Sequence, residues 1–333
     1  MKILVAGGAG FIGSHLCELL LERGHSVVCV DNLLTGIREN VRHLEDHPAF
    51  RFKRADITSM EAIPADAIIH LASPASPVDY DRLPLETMAA NSIGTWRLID
   101  VAREVGASLL FVSTSEVYGD PLVHPQPETY WGNVDPNGPR ACYDESKRFG
   151  EALLWSARRV HGIRANIVRL FNVYGPRMRR DDGRAIPEMV SAALEGRPLT
   201  VHGDGSQTRS FCYVSDLVEG LSLVLLDETI DGEVFNLGNP DEITVRQLAA
   251  SIVRQAALGG SLRFTDRRPG DPERRCPVID KIHDRYGWLP RVELEEGLRL
   301  TIASFRVDDP RWRIPIAPEA SAAAGETPVG ARS

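Results

Sequence analysis

The chain predicts a doubly wound α/β fold, a parallel sheet with a smaller interleaved C-terminal domain, and three observations carry that prediction. Short apolar runs alternate with helix-length amphipathic segments through the first half of the 333 residues, a pattern that lays helices on both faces of a parallel sheet. The first run ends in a glycine-rich turn and the second in an acid. Past residue 170 the alternation gives way to turn-rich sequence, broken by one more strand-like run at 232–237.

The first strand, 3–6, runs into Gly7-Gly8-Ala9-Gly10-Phe11-Ile12-Gly13 and then into the amphipathic stretch 14–21. Gly7 lets the chain turn off the strand, Gly10 lets the backbone approach a pyrophosphate, and Gly13 lets the helix pack on the sheet. The helix N-terminus offers its unpaired N–H groups to the anion. The second strand, 26–30, ends in Asp31, 18 positions beyond Gly13. An acid at that distance accepts hydrogen bonds from an adenosine ribose and repels a 2′-phosphate, so the predicted cofactor is NAD rather than NADP and the unit is Rossmann-type. Asn32, Thr35 and Gly36 follow on the adenosine side, and Asp56 and Ile57, after a third strand at 50–54, suit an adenine amine. All five are also ordinary turn residues.

Further strands are expected at 67–71, 108–113 and 165–170. Their carboxyl ends form the crevice where such sheets bind ligands. The expected division is a dinucleotide-binding domain over 1–170 with a returning segment at about 211–240, a substrate domain over most of 171–312, and a disordered tail at 317–333. That tail is rich in Ala, Pro, Gly and Glu without apolar periodicity.

Composition narrows the class. A net charge of −8 without a sustained Lys/Arg block argues against nucleic-acid binding. The five cysteines, at 17, 29, 142, 212 and 276, form no C-x-x-C pair and read as reduced core residues of a cytoplasmic protein. Met1-Lys2 leads straight into the first strand, so neither a signal peptide nor a membrane span is expected. The nine histidines show no H-x-x-H spacing, and no metal site is expected.

Tyr143 and Lys147 stand four apart at the start of a helical pattern over 143–160, on one helix face. A neighbouring ammonium and a cationic nicotinamide ring both favour phenolate, which makes Tyr143 a candidate base. The strand 108–113 ends in Thr114-Ser115-Glu116, bringing hydroxyls and a carboxylate to the same crevice.

These motifs, Gly7-x-x-Gly10-x-x-Gly13, Thr114-Ser115-Glu116 and Tyr143-x-x-x-Lys147, resemble the extended short-chain dehydrogenase/reductases of the NAD-dependent epimerase/dehydratase group. The resemblance runs to about residue 310. Within that group the chain is most similar to the UDP-glucuronate decarboxylases, also called UDP-xylose synthases, through the segments 71–77, 118–121, 124–126, 138–145, 169–177, 182–184 and 205–211.

The resemblance implies NAD-mediated oxidation of UDP-glucuronate at C4, loss of CO₂ and hydride return. It implies Tyr143 as base beside Lys147, Thr114 at the oxygen being oxidised, Ser115 and Glu116 at the C5–C6 region, and Arg275 at the sugar carboxylate. Leu71 and Ser73 join the cofactor contacts; Pro74, Ala75, Tyr118, Asn172, Arg184 and Arg209 join the substrate contacts, the two arginines as a diphosphate clamp. Cys276 stands where the family usually has lysine. The related 4,6-dehydratases carry an Asp-Glu pair at the positions of Ser115 and Glu116, because expelling a hydroxyl needs an acid, whereas losing CO₂ does not. A 4-epimerase and a non-catalytic NAD-dependent regulator are the other readings. Apolar residues in 88–105 and 143–160 (Trp96, Leu98, Ile99, Val101, Leu153, Leu154, Trp155) exceed one core face. The family's helix pairing then implies a homodimer through a four-helix bundle.

Overall fold

A computed structural model describes residues 1–257, 260–267 and 272–307; the tail expected at 317–333 lies outside them. In chain order the elements are β1 (Lys2–Ala6), α1 (Phe11–Glu22), β2 (Ser26–Asp31), β3 (Phe50–Arg54), β4 (Ala67–His70), α2 (Pro77–Arg82), α3 (Pro84–Ala89), α4 (Thr95–Val105), β5 (Ser108–Thr114), α5 (Ala141–His161), β6 (Ala165–Leu170) and β7 (Val173–Tyr174). There follow α6 (Ala185–Leu194), β8 (Leu199–His202), β9 (Thr208–Ser210), β10 (Cys212–Tyr213), α7 (Val214–Leu226), β11 (Val234–Leu237), β12 (Glu242–Thr244), α8 (Val245–Ala256), β13 (Leu262–Thr265), β14 (Arg274–Arg275), α9 (Asp280–Tyr286) and α10 (Leu294–Val307).

Seven strands form one parallel sheet in the order β11-β6-β5-β4-β1-β2-β3. Strands buried on both faces read as unbroken apolar runs: Ile3 to Ala6 and Ala67 to Ile69 are wholly buried. The chain order reverses between β1 and β4, the switch point beside which such sheets open a crevice. One core lies against α1 and α7 and runs on into the C-terminal helices; the other packs beneath α4 and α5. A widened helical turn at Ala90–Gly94 joins α3 to α4 and places Asn91 in the interior.

Past residue 170 the chain is more regular than its turn-rich sequence suggests. Among the described residues it holds five helices and returns β11 to the main sheet. The other strands are two to four residues long and pair in small sheets, β12-β9-β14, β13-β8 and β10-β7.

The turn after β1 shows why the glycines stand where they do. Gly7 has φ +82°, and a Cβ there would lie 2.6 Å from Ala72 N; one on Gly13 would meet the Gly7 carbonyl. Both contacts are to backbone, so neither neighbour can swing away. Gly13→Ala is therefore expected to destabilise the protein by about 1–3 kcal/mol through overpacking and to weaken NAD binding, read by urea denaturation and by titration with the dinucleotide.

Candidate active site

Two cavities open along the carboxyl rim of the sheet. The smaller, about 170 Å³, is lined by Gly7, Gly10, Asp31, Asn32, Thr35, Gly36, Asp56, Ile57 and Pro74. The larger, about 600 Å³, contains Ile12, Ala75, Thr114, Ser115, Glu116, Tyr143, Lys147, Asn172, Arg184, Arg209 and Arg275 in its wall. Leu71 and Ser73 line both. Nearly every residue predicted from the sequence thus falls on one continuous rim.

Asp31, at the end of β2, is buried and accepts hydrogen bonds from Ala9 N at 3.0 Å and Leu33 N at 2.8 Å. Burial raises its carboxyl pKa, and the two backbone donors act against that rise. The acid therefore also braces the glycine turn. Asp56 accepts from Asn32 Nδ2 at 2.9 Å, tying together the ends of β2 and β3. The turn, the acid and the free helix start match what a dinucleotide requires. Phe11 takes no place in either wall; its ring packs edge-on against His15 at the start of α1.

Tyr143 and Lys147 come from the first turns of α5 and are both buried. Lys147 Nζ donates to the Val112 carbonyl of β5 at 2.8 Å, and burial brings its pKa down to about 7. Burial likewise pushes the Tyr143 phenol up to about 12, a hydrogen bond with Thr114 pulling the other way. The expectation that Lys147 lowers the phenol's pKa is thus not met by the protein's own groups. Desolvation penalises both charged forms, and the lysine is turned toward a backbone carbonyl. Added positive charge at the site is what favours phenolate.

Tyr143 is stacked on Tyr80, centroids 5.4 Å apart. Beneath it, Asn91 Nδ2 donates to Ser73 Oγ and to Ser146 Oγ, each at 3.0 Å, which fixes α5 against the loop after β4.

At the tip of β5 the backbone N–H of Glu116 donates to Thr114 Oγ1 at 3.2 Å, capping the short turn that follows. The Glu116 carboxylate is gripped by Arg275 on one oxygen and Arg140 on the other. Burial alone would raise its pKa; Arg140 and Arg275 outweigh that and hold it at about 2. Glu116 is consequently an anion at neutral pH. Arg275 also donates to the Gly119 carbonyl at 2.9 Å.

Arg184 pairs with Asp182, Nη2 to Oδ2 at 2.7 Å. Arg209 is held by the carbonyls of Thr208 and Pro272, both at 2.7 Å. Asn172 joins β6 to β7 and donates to the Ser210 carbonyl at 3.2 Å.

Tyr118 departs from its expected place among the substrate contacts. It is fully buried, donates to Asn236 Oδ1 at 2.7 Å and packs on Phe171 and Tyr130, behind the cavity wall. The turn after β5 directs it into the core while Glu116 faces the cavity. The sequence reading missed Tyr80, Arg140, His202 and Gln207, all in the wall. Arg140 and Gln207 lie within the segments 138–145 and 205–211 that carry the family resemblance, though their residue types alone did not mark them as cavity residues.

A family model described as "NAD dependent epimerase/dehydratase family" matches residues 3–238. The chain belongs to that family. It is 48% identical over 308 residues to UDP-glucuronic acid decarboxylase 3 of Arabidopsis thaliana, covering 92% of this chain and 90% of the relative. It is also 48% identical to UDP-glucuronic acid decarboxylase 1 of Xenopus tropicalis, covering 92% and 72%. Among solved structures it resembles a UDP-glucuronic acid 4-epimerase from Bacillus cereus in complex with UDP-glucuronic acid and NAD, with TM-score 0.83, 30% identity, and 92% and 99% of the two chains covered. A dTDP-glucose 4,6-dehydratase from Streptomyces venezuelae with NAD bound gives TM-score 0.85 at 30% identity, covering 94% and 99%.

Like its family, this chain is NAD-dependent. If Tyr143 is the base, Tyr143→Phe is expected to remove turnover, by a factor on the order of 10² or more, while leaving NAD affinity within about threefold. Parallel assays of turnover and dinucleotide binding check this.

Proposed function

We propose that the protein decarboxylates UDP-glucuronate to UDP-xylose. The observation that carries this reading is the placement of Arg275 and the anionic Glu116 in the same cavity wall as Thr114 and Tyr143. A guanidinium suited to a carboxylate thereby shares one pocket with a candidate base suited to a ring hydroxyl. The relatives described above carry the same activity in their names.

Bound NAD supplies a reversible hydride acceptor at the sugar's C4. Gly7 and Gly10 would cradle the dinucleotide, with Gly13 letting α1 pack close behind them and Ile12 at the helix start; Asp31 would hold its ribose; Asn32, Thr35, Gly36, Asp56 and Ile57 would line the adenosine end. Thr114 positions the C4 oxygen and Tyr143 takes its proton. The resulting ketone makes the C6 carboxylate a β-keto acid, whose CO₂ leaves as the electrons pass into an enolate. Reprotonation at C5 and reduction at C4, with Tyr143 returning the proton, complete a redox-neutral cycle. Arg275 holds the carboxylate, Arg184 and Arg209 clamp the diphosphate, and Pro74, Ala75 and Asn172 flank the sugar. With its pKa held at about 2, Glu116 faces the sugar as a carboxylate rather than as a hydrogen-bond donor. Ser115, unlike an acid, cannot protonate a leaving hydroxyl, which disfavours dehydration.

The domain division also belongs to this reading: the main sheet serves the cofactor, and the segments after β6, apart from β11, serve the nucleotide sugar. The assembly is a homodimer through the outer faces of α4 and α5. Leu98, Ile99, Val101 and Leu154 are core residues, but Trp96, Phe149 and Trp155 are exposed, an apolar surface fit for a bundle. All five cysteines are unpaired, in keeping with a cytoplasmic setting. No helix among the described residues is long and apolar enough to cross a membrane.

Incubation with UDP-glucuronate and NAD⁺ is expected to release CO₂ and yield UDP-xylose by NMR with no net NADH. Retained carboxylate with inverted C4 would move the assignment to an epimerase. Arg275→Ala is expected to weaken UDP-glucuronate by about 10- to 100-fold while leaving UDP affinity nearly unchanged, as competition binding would show. Sedimentation at micromolar concentration is expected to give twice the chain mass; monomer alone would remove the dimer.

A further inference from the structure

Two guanidiniums, not one, meet the carboxylate at the tip of β5. Arg140 immediately precedes α5 and Arg275 lies on β14, and each binds a different oxygen of Glu116. Both arginines line the 600 Å³ cavity. The Nε of each is buried and has no hydrogen-bond partner. A buried charged donor without an acceptor is costly, and here two such donors belong to side chains of one wall.

The local charges do not cancel. Two arginines face one glutamate. A second acid, Asp144, lies 4.0 Å from Arg140 Nε and has one buried carboxylate oxygen without a hydrogen-bond partner. Burial, and then repulsion from Glu116, push it up to about 7, so at neutral pH it balances the excess only in part. The wall therefore carries surplus positive charge in a poorly solvated place, where charge is strongly felt.

We infer that Arg140 is a specificity residue. Together with Arg275 it forms a two-guanidinium bracket for the carboxylate of the bound sugar, with Glu116 as the spacer that fixes the separation of the two arginines. A uronate supplies the missing anion. A sugar with a neutral hydroxymethyl group leaves both guanidiniums under-neutralised, so the bracket selects by penalising the wrong ligand as well as by holding the right one. This inference rests on the uronate reading above.

The test measures binding to NAD-loaded protein in a Tyr143→Phe background, which keeps the ligand intact, with UDP-glucuronate and UDP-glucose as probes. Arg140→Gln is expected to weaken UDP-glucuronate by on the order of 10- to 100-fold and to change UDP-glucose by less than about threefold. Arg140→Lys, which keeps the charge but loses the planar fork, is expected to fall between. Equal losses for the two ligands, or no loss for either, overturn the proposal, because a merely structural arginine does not alter their ratio. If Arg140→Gln fails to fold, seen as lost NAD binding, the lysine variant decides by the same ratio. Wild-type protein that prefers UDP-glucuronate yet releases no CO₂ would sink the decarboxylase reading while leaving the bracket in place.

Discussion

A buried carboxylate held between two arginines from distant parts of the chain is the constraint on which the site's geometry rests. Glu116 stands at the end of a central strand, Arg140 at the start of the helix that bears Tyr143 and Lys147, and Arg275 on a strand of the small C-terminal sheet. Removing Glu116 would leave two guanidiniums without their counter-charge, a large effect beside the net stability of a domain. The same contacts that compensate the charge hold the tip of β5, the start of α5 and β14 around one cavity.

Burial disfavours the charged forms of Glu116, Lys147 and Tyr143 alike, and the net outcome depends on the company each group keeps. For Glu116 two cations overcome desolvation; for Lys147 and Tyr143 nothing in the protein does, and both are driven toward their neutral forms. His70, wholly buried nearby, goes the same way, down to about 3, first from burial and then from Lys147. The pocket thus presents a permanent ionic cluster at one side and, at the other, the weakly charged pair proposed for proton transfer. A cationic cofactor ring has most leverage on the second kind of group, since that is where the protein has not already supplied the charge.

The main sheet was almost fully legible because parallel strands buried on both faces leave unbroken apolar runs with glycine or polar residues at their ends. Phe50–Arg54 and Ala165–Leu170 match to the residue, and the others differ by a position or two. The glycine turn and the Tyr143/Lys147 helix were legible because local spacing fixes them. The strands after residue 170 were not, since pieces of two to four residues draw their pairing from distant partners rather than from a period of their own. Arg140 and Tyr118 show the same limit at the scale of side chains. The turn after β5 sends Tyr118 into the core and the start of α5 brings Arg140 to Glu116, and neither aromaticity nor charge in the sequence records those placements.

The register of the small sheet has one more consequence. Arg209 on β9 and Arg275 on β14 are direct partners across a parallel ladder, so the residue read as a diphosphate contact and the residue read as a carboxylate contact are rungs of one rigid frame. Neither can shift along its strand without straining the other. On the roles proposed for these two arginines, the ladder ties the diphosphate end of the ligand's place to its carboxylate end, so the spacing between them is set by backbone pairing rather than by side-chain reach.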